Sequence, residues 1–362
     1  MRLFSCSHCG NTLYFENAVC ERCGHALGYS PDHGTLLSLE AKDGVWVSPA
    51  LPDHAFVYCA NAAHGACNWL IPAAPGGAIY CAACRHNDTI PPIGDPRNLL
   101  RWQTIERAKK RLVYSLIRLG LPLETRSEDP QHGLAFRFLA ESAAPEPVMT
   151  GHDTGIITIA LSEADDAERE YRRTSFNEPY RTLLGHFRHE IGHHYWDLLV
   201  RAQPAEEQFR RLFGDERTDY GQALQTYYAQ GAAPDWPQFH ISAYATAHPW
   251  EDFAETFAHL LHIIDTVEMA AAFGLRARPR TGDDALAIPP VTFDPYLEPD
   301  MATIIEHWIP LTSLLNNLNR AVGQADAYPF VLTPPVMDKL AFINALVHQA
   351  PALEQLKRLS RA

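Results

Sequence analysis

His189, Glu190 and His193 stand in the run RHEIGHHYWD, residues 188–197, in the order HExxH. On a helix, residues four apart lie about 40° apart around the axis, so both imidazoles can reach one metal ion. Glu190 then sits beside the metal as a base. A bound Zn²⁺ lowers the pKa of water to roughly 7, and a nearby carboxylate can take the proton and return it to a leaving group. The pattern is short, however, and 18 histidines make a chance occurrence about one in twenty, so more residues are needed.

A catalytic zinc takes three protein ligands and keeps one position open. The extended pattern HExxHxxGxxH is excluded, because Trp196 and Leu199 occupy the places of its glycine and last histidine. Asp219, in DERTDYG, is a candidate third ligand without helical neighbours of the right kind. The better candidates lie in HPWEDFAETFAHLLHIID, residues 248–265, where Glu251, Glu255, His259 and His262 recur at spacings of four, four and three. These could be a solvated stripe. The chemistry favours Glu251 as third ligand with Glu255 orienting a ligand imidazole; Asp252 or Glu255 itself as ligand is the competing assignment. Tyr244, seven residues before Glu251, could donate to the oxyanion of a tetrahedral intermediate, with His248 as runner-up. His186 and His194 are read as packing or surface histidines.

Two helices must position these groups. Pro179 suits a first helical position, and Leu184, Phe187, Ile191, Tyr195 and Leu198 give residues 178–200 an apolar face. Gly192 costs ~1 kcal/mol inside that helix, which close approach by another element would explain as well as simple packing. Pro249 opens the second helix, with Trp250, Phe253, Phe257, Leu261 and Ile264 as its buried face.

All eight cysteines precede residue 85. Cys6, Cys9, Cys20 and Cys23 form two CxxC knuckles, each followed by glycine, a spacing that lets four thiolates meet one Zn²⁺ at ~2.3 Å. Disulfides are the competing reading, opposed by the absence of an N-terminal apolar h-region and by CxxC geometry. Cys59, Cys67, Cys81 and Cys84 form a less regular second set, in which His64 or His86 could replace a thiolate. Such closed sites are structural, and AKDGVWVSPALP between them reads as a ribbon arm. With no apolar run long enough to span a bilayer, the expected location is the cytoplasm.

IPPIGDPRN, residues 90–98, is the best boundary. A helix follows through Ile105, Ala108, Leu112, Leu116 and Leu119; its Arg107, Lys109, Lys110, Arg111 and Arg118 read as a solvated or ion-paired face. The net charge of −13 and the lack of interleaved aromatic residues argue against nucleic acid as a partner. GIITIAL, residues 155–161, reads as a strand, expected at a sheet edge where an extended peptide could be laid. Residues 275–300 read as a long loop, with helices over about 301–320 and 335–358.

The stretches LFSCSHCGNTLYFENAVCERCGHALGY, CNWLIP, CAACRHNDTI, LLGHFRHEIGHHYWD and HPWEDFAETFAHLLHIIDT make most of the chain resemble bacterial zinc-binding metallopeptidases with an N-terminal zinc-ribbon region, within the gluzincin group. The resemblance implies a gluzincin-like domain with His189, His193 and Glu251 as ligands, Glu190 as base and Tyr244 at the place of a catalytic tyrosine. The expected architecture is α+β: tandem zinc-ribbon modules over residues 1–90, then a mostly helical catalytic domain with a short sheet over 91–362. The expected function is a zinc peptidase holding one catalytic and two structural zinc ions, acting on a peptide or protein, with the ribbons available to a protein partner. An adaptor with a non-catalytic HExxH domain and a hydrolase of non-peptide amides are the alternatives.

Overall fold

The computed structural model describes residues 2–140, 150–165, 182–282 and 284–361, with side chains to residue 350. The chain forms two compact units, Met1–Ile117 with Leu123–Asp166, and Arg118–Pro122 with Ala167–Ala362.

The first unit carries the strands. β1 (Phe4–Ser5) pairs with β2 (Thr12–Leu13), and β3 (Ala26–Ser30), β4 (Thr35–Lys42), β5 (Val45–Ser48), β6 (Leu51–Tyr58) and β7 (Leu70–Pro72) form an antiparallel meander. The alternation of apolar residues buries Leu37, Leu39, Phe56 and Leu70 together. A third sheet has the order β10 (Gly151–Asp153), β11 (Ile156–Ala160), β9 (Ala135–Leu139), β8 (Asn87–Thr89). Helix α1 (Pro96–Arg118) buries Trp102, Ile105, Leu112 and Leu116, and its Tyr114 meets Phe15 at 5.3 Å between ring centroids. The compact units therefore do not divide at residue 90: α1 packs with the ribbon strands.

Two expectations are corrected. β11, the GIITIAL segment, is an interior strand, parallel to β9 on one side and antiparallel to β10 on the other, so its ladder groups are already taken. The other concerns the basic side of α1, read as solvated or ion-paired: it is ion-paired, and part of it is buried rather than at the surface. Lys109 is fully buried against Glu106 at 2.9 Å, Lys110 donates to the Ala66 carbonyl, and Arg111 pairs with Glu16 at 2.6 Å.

The second unit is helical: α2 (Leu183–Leu199), α3 (Glu206–Phe213), α4 (Tyr220–Gln230), α5 (Pro249–Ala272), α6 (Met301–Ala321) and α7 (Pro334–Arg361). Thr182 Oγ1 accepts from Gly185 N at 2.9 Å and caps α2; Pro179, expected to open this helix, lies outside the described residues. At the start of α5, His248 Nδ1 accepts from Trp250 N at 3.1 Å and Pro249 takes the first helical position. Phe187, Ile191 and Tyr195 of α2 and Phe253, Phe257, Leu261 and Ile264 of α5 are all fully buried, and the Tyr195 and Phe257 rings stack across the pair at 5.6 Å. Gly192 sets the spacing of this pair: a Cβ there would lie 2.8 Å from Ala254 Cα. Close approach is therefore why the helix carries a glycine. In the segment 275–300 the structure has one short 3₁₀ turn, Asp284–Leu286, and buries Ile288 and Tyr296.

Candidate metal centre and the two cysteine clusters

In the first cluster, Cys6 and Cys23 sulfurs are 3.7 Å apart and those of Cys9 and Cys20 are 3.6 Å apart, with all four cysteines free of disulfides. Sulfurs at ~2.3 Å from a tetrahedral zinc are separated by about 3.8 Å, whereas a disulfide requires ~2.05 Å. Gly10 and Gly24, at φ +73° and +75°, return their N–H groups to the Cys6 and Cys20 carbonyls at 2.9 and 2.8 Å. This left-handed turn aims the Cys23 and Arg22 amides at the Cys20 sulfur and holds that thiol down to about 6, a thiolate ready for a cation.

Cys59, Cys67, Cys81 and Cys84 are all buried, with sulfurs close enough to hold one ion. The seven-residue gap between Cys59 and Cys67 is taken up by a 3₁₀ turn, Ala60–His64. Neither histidine weighed for this cluster joins the group of ligand atoms: His86 Nδ1 faces the Leu134 carbonyl at 3.1 Å, and the His64 ring lies 6.0 Å from that of Trp102. The Cys84 sulfur lies 3.7 Å from Glu106, whose partner Lys109 supplies positive charge beside the thiolates.

At the α2–α5 pair, His189 Nε2, His193 Nε2 and Glu251 Oε2 converge. The separations are 3.1 Å between the histidines, 3.0 Å from His189 to Glu251 and 3.4 Å from His193 to Glu251. Three ligands at ~2.0–2.1 Å from a tetrahedral zinc would stand about 3.3 Å apart. Glu251 Oε2 is buried and accepts no hydrogen bond, which suits a ligand oxygen. These residues fit a zinc ion. Burial alone would lower the His189 pKa, but Glu251 and then Glu255 outweigh it and raise it well above the ordinary value, so a cation bound here displaces a proton. Glu251 is held well below the usual carboxylate range: His193 and His189 overcome the opposing effect of burial.

Glu255 Oε1 accepts from His189 Nδ1 at 2.7 Å, which leaves Nε2 bare toward the ligand cluster, and Ser242 donates to Glu255 Oε2 at 2.6 Å. Glu190 is half-buried on α2, and its charge reaches the Tyr220 phenol. The Tyr244 ring lies 5.9 Å from that of His189, and burial pushes its hydroxyl pKa far up, so it stays a donor. Asp252 turns away, paired with Lys339 Nζ at 2.6 Å. Asp219 caps α4 by accepting from Gln222 N at 2.8 Å. His259 faces the Tyr328 hydroxyl at 2.7 Å and His262 faces Arg188, so the run from Glu251 to His262 is a buried face rather than a solvated stripe.

Two partners escaped the sequence reading. Tyr220 donates to Glu251 Oε1 at 2.6 Å, holding the carboxylate by the oxygen that the histidines do not face. Ser242 anchors Glu255. Neither sits at a helical spacing from the residue it touches. The only signal for Tyr220 was its place beside Asp219, in a segment with no other explanation.

Among known proteins, residues 98–346 match the family described as "Putative zinc-binding metallo-peptidase", and residues 3–95 match a zinc-ribbon domain. Uncharacterized proteins from two strains of Mycobacterium tuberculosis and from Mycobacterium bovis are each 43% identical over 356 residues, 98% of this chain and 98% of theirs. No solved structure matches. No helix among the described residues is long and apolar enough to cross a membrane. With a match over most of its length and a ribbon domain ahead of it, the chain belongs to this zinc-binding metallopeptidase family.

Proposed function

We propose that the protein is a zinc-dependent peptidase, with His189, His193 and Glu251 holding the metal and Glu190 as general base. The observation that carries this reading is the meeting of three ligand atoms within 3.4 Å of one another, with Glu255 fixing the His189 tautomer behind them. A zinc ion bound there supplies Lewis acidity toward a carbonyl and a water that ionises near pH 7. Glu190 takes the proton of the attacking water and delivers it to the leaving nitrogen, which requires no coordination by its own carboxylate. Tyr244, its phenol kept protonated by burial, donates to the oxygen that gains charge as the carbonyl carbon becomes tetrahedral. The Trp250 ring lies against that of His193, 3.8 Å between centroids and tilted by 37°.

A cavity of about 490 Å³ lies beside α4, lined in part by Thr218, Gln222, Thr226 and Tyr227. The Tyr227 ring lies 5.6 Å from that of Tyr244, which in turn lies 5.9 Å from that of His189, so the cavity stands two rings away from the ligand cluster. The test combines metal analysis with a peptide-library cleavage assay. Glu190→Gln should keep the metal and lose about 10²–10⁴-fold in kcat/KM, while His193→Ala should lose both metal and cleavage. Equal cleavage by Glu190→Gln and wild type would remove the mechanism. Hydrolysis of simple amides but no peptide would retain it and change the substrate.

A further inference from the structure

Beside the first four-cysteine cluster, and separate from it, His8, His25 and Glu40 bring ligand atoms within 4.8 Å of one another. We propose that these three side chains form an additional binding site for a borderline divalent cation of the Zn²⁺, Ni²⁺ or Cu²⁺ class. His8 is the third residue of the knuckle Cys6-Ser-His-Cys9, and His25 follows Gly24 at the end of the second knuckle. The two left-handed glycine turns that wrap the thiolates therefore also bring the imidazoles face to face, with ring centroids 3.9 Å apart and planes 26° apart. Glu40, on β4, reaches His25 Nε2 at 3.7 Å from the adjacent strand.

Two features favour a cation. Two imidazoles and one carboxylate form a nitrogen-rich set that suits zinc, nickel or copper over magnesium or calcium. Imidazole lone pairs lie in the ring plane, so a shared ion requires one of the two stacked rings to turn until their planes meet. His8 is exposed, and a side-chain rotation there would close the remaining gap. Finally, four thiolates around Zn²⁺ carry a net charge of −2, and that charge favours a second cation close by. Glu40 is exposed and His25 half-buried, so this ion exchanges with solvent, unlike one enclosed by four sulfurs.

The experiment counts zinc per full-length chain after equilibration with micromolar free Zn²⁺, in wild type and in His8→Ala/His25→Ala. Wild type should bind one more equivalent than the double variant, and Glu40→Gln should weaken that equivalent about tenfold. Because His8 lies within a knuckle, the same proteins are also loaded with Co²⁺, whose thiolate charge-transfer band reports the four-cysteine sites. An unchanged band with one equivalent lost supports the site. Equal zinc content, or loss of the thiolate band along with the ion, overturns it. His193→Ala removes a different equivalent, so failure here and failure of the peptidase reading are told apart.

Discussion

The four-cysteine clusters of the first unit and the histidine–glutamate cluster of the second both gather metal ligands, but they depend on the fold in opposite ways. Each CxxC knuckle delivers two sulfurs from one tight turn, and a shared ion would tie the turns of one cluster to one another. His189 and Glu255, by contrast, are 66 residues apart and meet because two helices pack through fully buried Phe187, Ile191, Phe253 and Phe257. In the first unit metal organises chain; in the second, packed chain organises ligands. That difference also separates a closed site, with every position taken by sulfur, from a three-ligand site that can admit water.

The contrast is broken most severely by Cys81→Ser. Removing a thiolate from a closed, buried cluster should forfeit a binding energy on the order of 10 kcal/mol and unfold the strands around it, seen as lost near-UV circular dichroism with lost zinc. His193→Ala should instead lose one ion while Tm stays within a few degrees, because α2 and α5 keep their apolar contact. A folded Cys81→Ser protein would mean that the first unit has a self-sufficient core.

Acid should separate the two regions next. Burial depresses His259 to about 4 from its usual 6.5. Below pH 6.5 the unfolded chain binds a proton that the folded chain refuses until about pH 4, so stability present above 6.5 is lost as pH falls. The loss is at most about 3 kcal/mol. His259→Gln should flatten the acid limb between pH 6.5 and 4 without changing the zinc content at pH 7. Acid loss in the cysteine clusters should accompany zinc release. An unchanged acid limb would assign the second unit's acid sensitivity elsewhere.

Smaller effects probe the support of the open site. Glu255→Ala should weaken zinc at His189, His193 and Glu251 by about 10–100-fold, measured by chelator competition, since it releases the His189 tautomer. Tyr220→Phe removes one hydrogen bond from Glu251, worth about 1 kcal/mol, and should weaken the same ion about fivefold. If Tyr220→Phe proves the more costly of the two, the carboxylate rather than the imidazole needs the stronger anchor.

Much of this was legible in local pattern. Glycine after each CxxC of the first cluster, a proline at the start of α5 and the apolar periodicities of α2 and α5 are short-range signals, and the structure places those turns and helices accordingly. Long-range partnership was not legible. GIITIAL has the composition of a strand, but its interior place depends on pairing with β9, some twenty residues upstream, and β10. The charges of α1 read as solvated or ion-paired; the i,i+3 pairing of Lys109 with Glu106 follows from helical spacing, but its burial depends on what packs over it. The bond from Ser242 to Glu255 and the bond from Tyr220 to Glu251 join elements whose separation follows no helical or strand period.

The sequence by itself determined which residues could bind metal and on which local elements they stand, because turn preference and helical periodicity act over a few residues. Only the tertiary structure decided that Glu251 rather than Asp252 faces the histidines, that Tyr220 holds Glu251, and that His8 meets His25. Adjacent positions on α5 point about 100° apart, and which one faces α2 is set by how the two helices pack around Gly192 and Ala254.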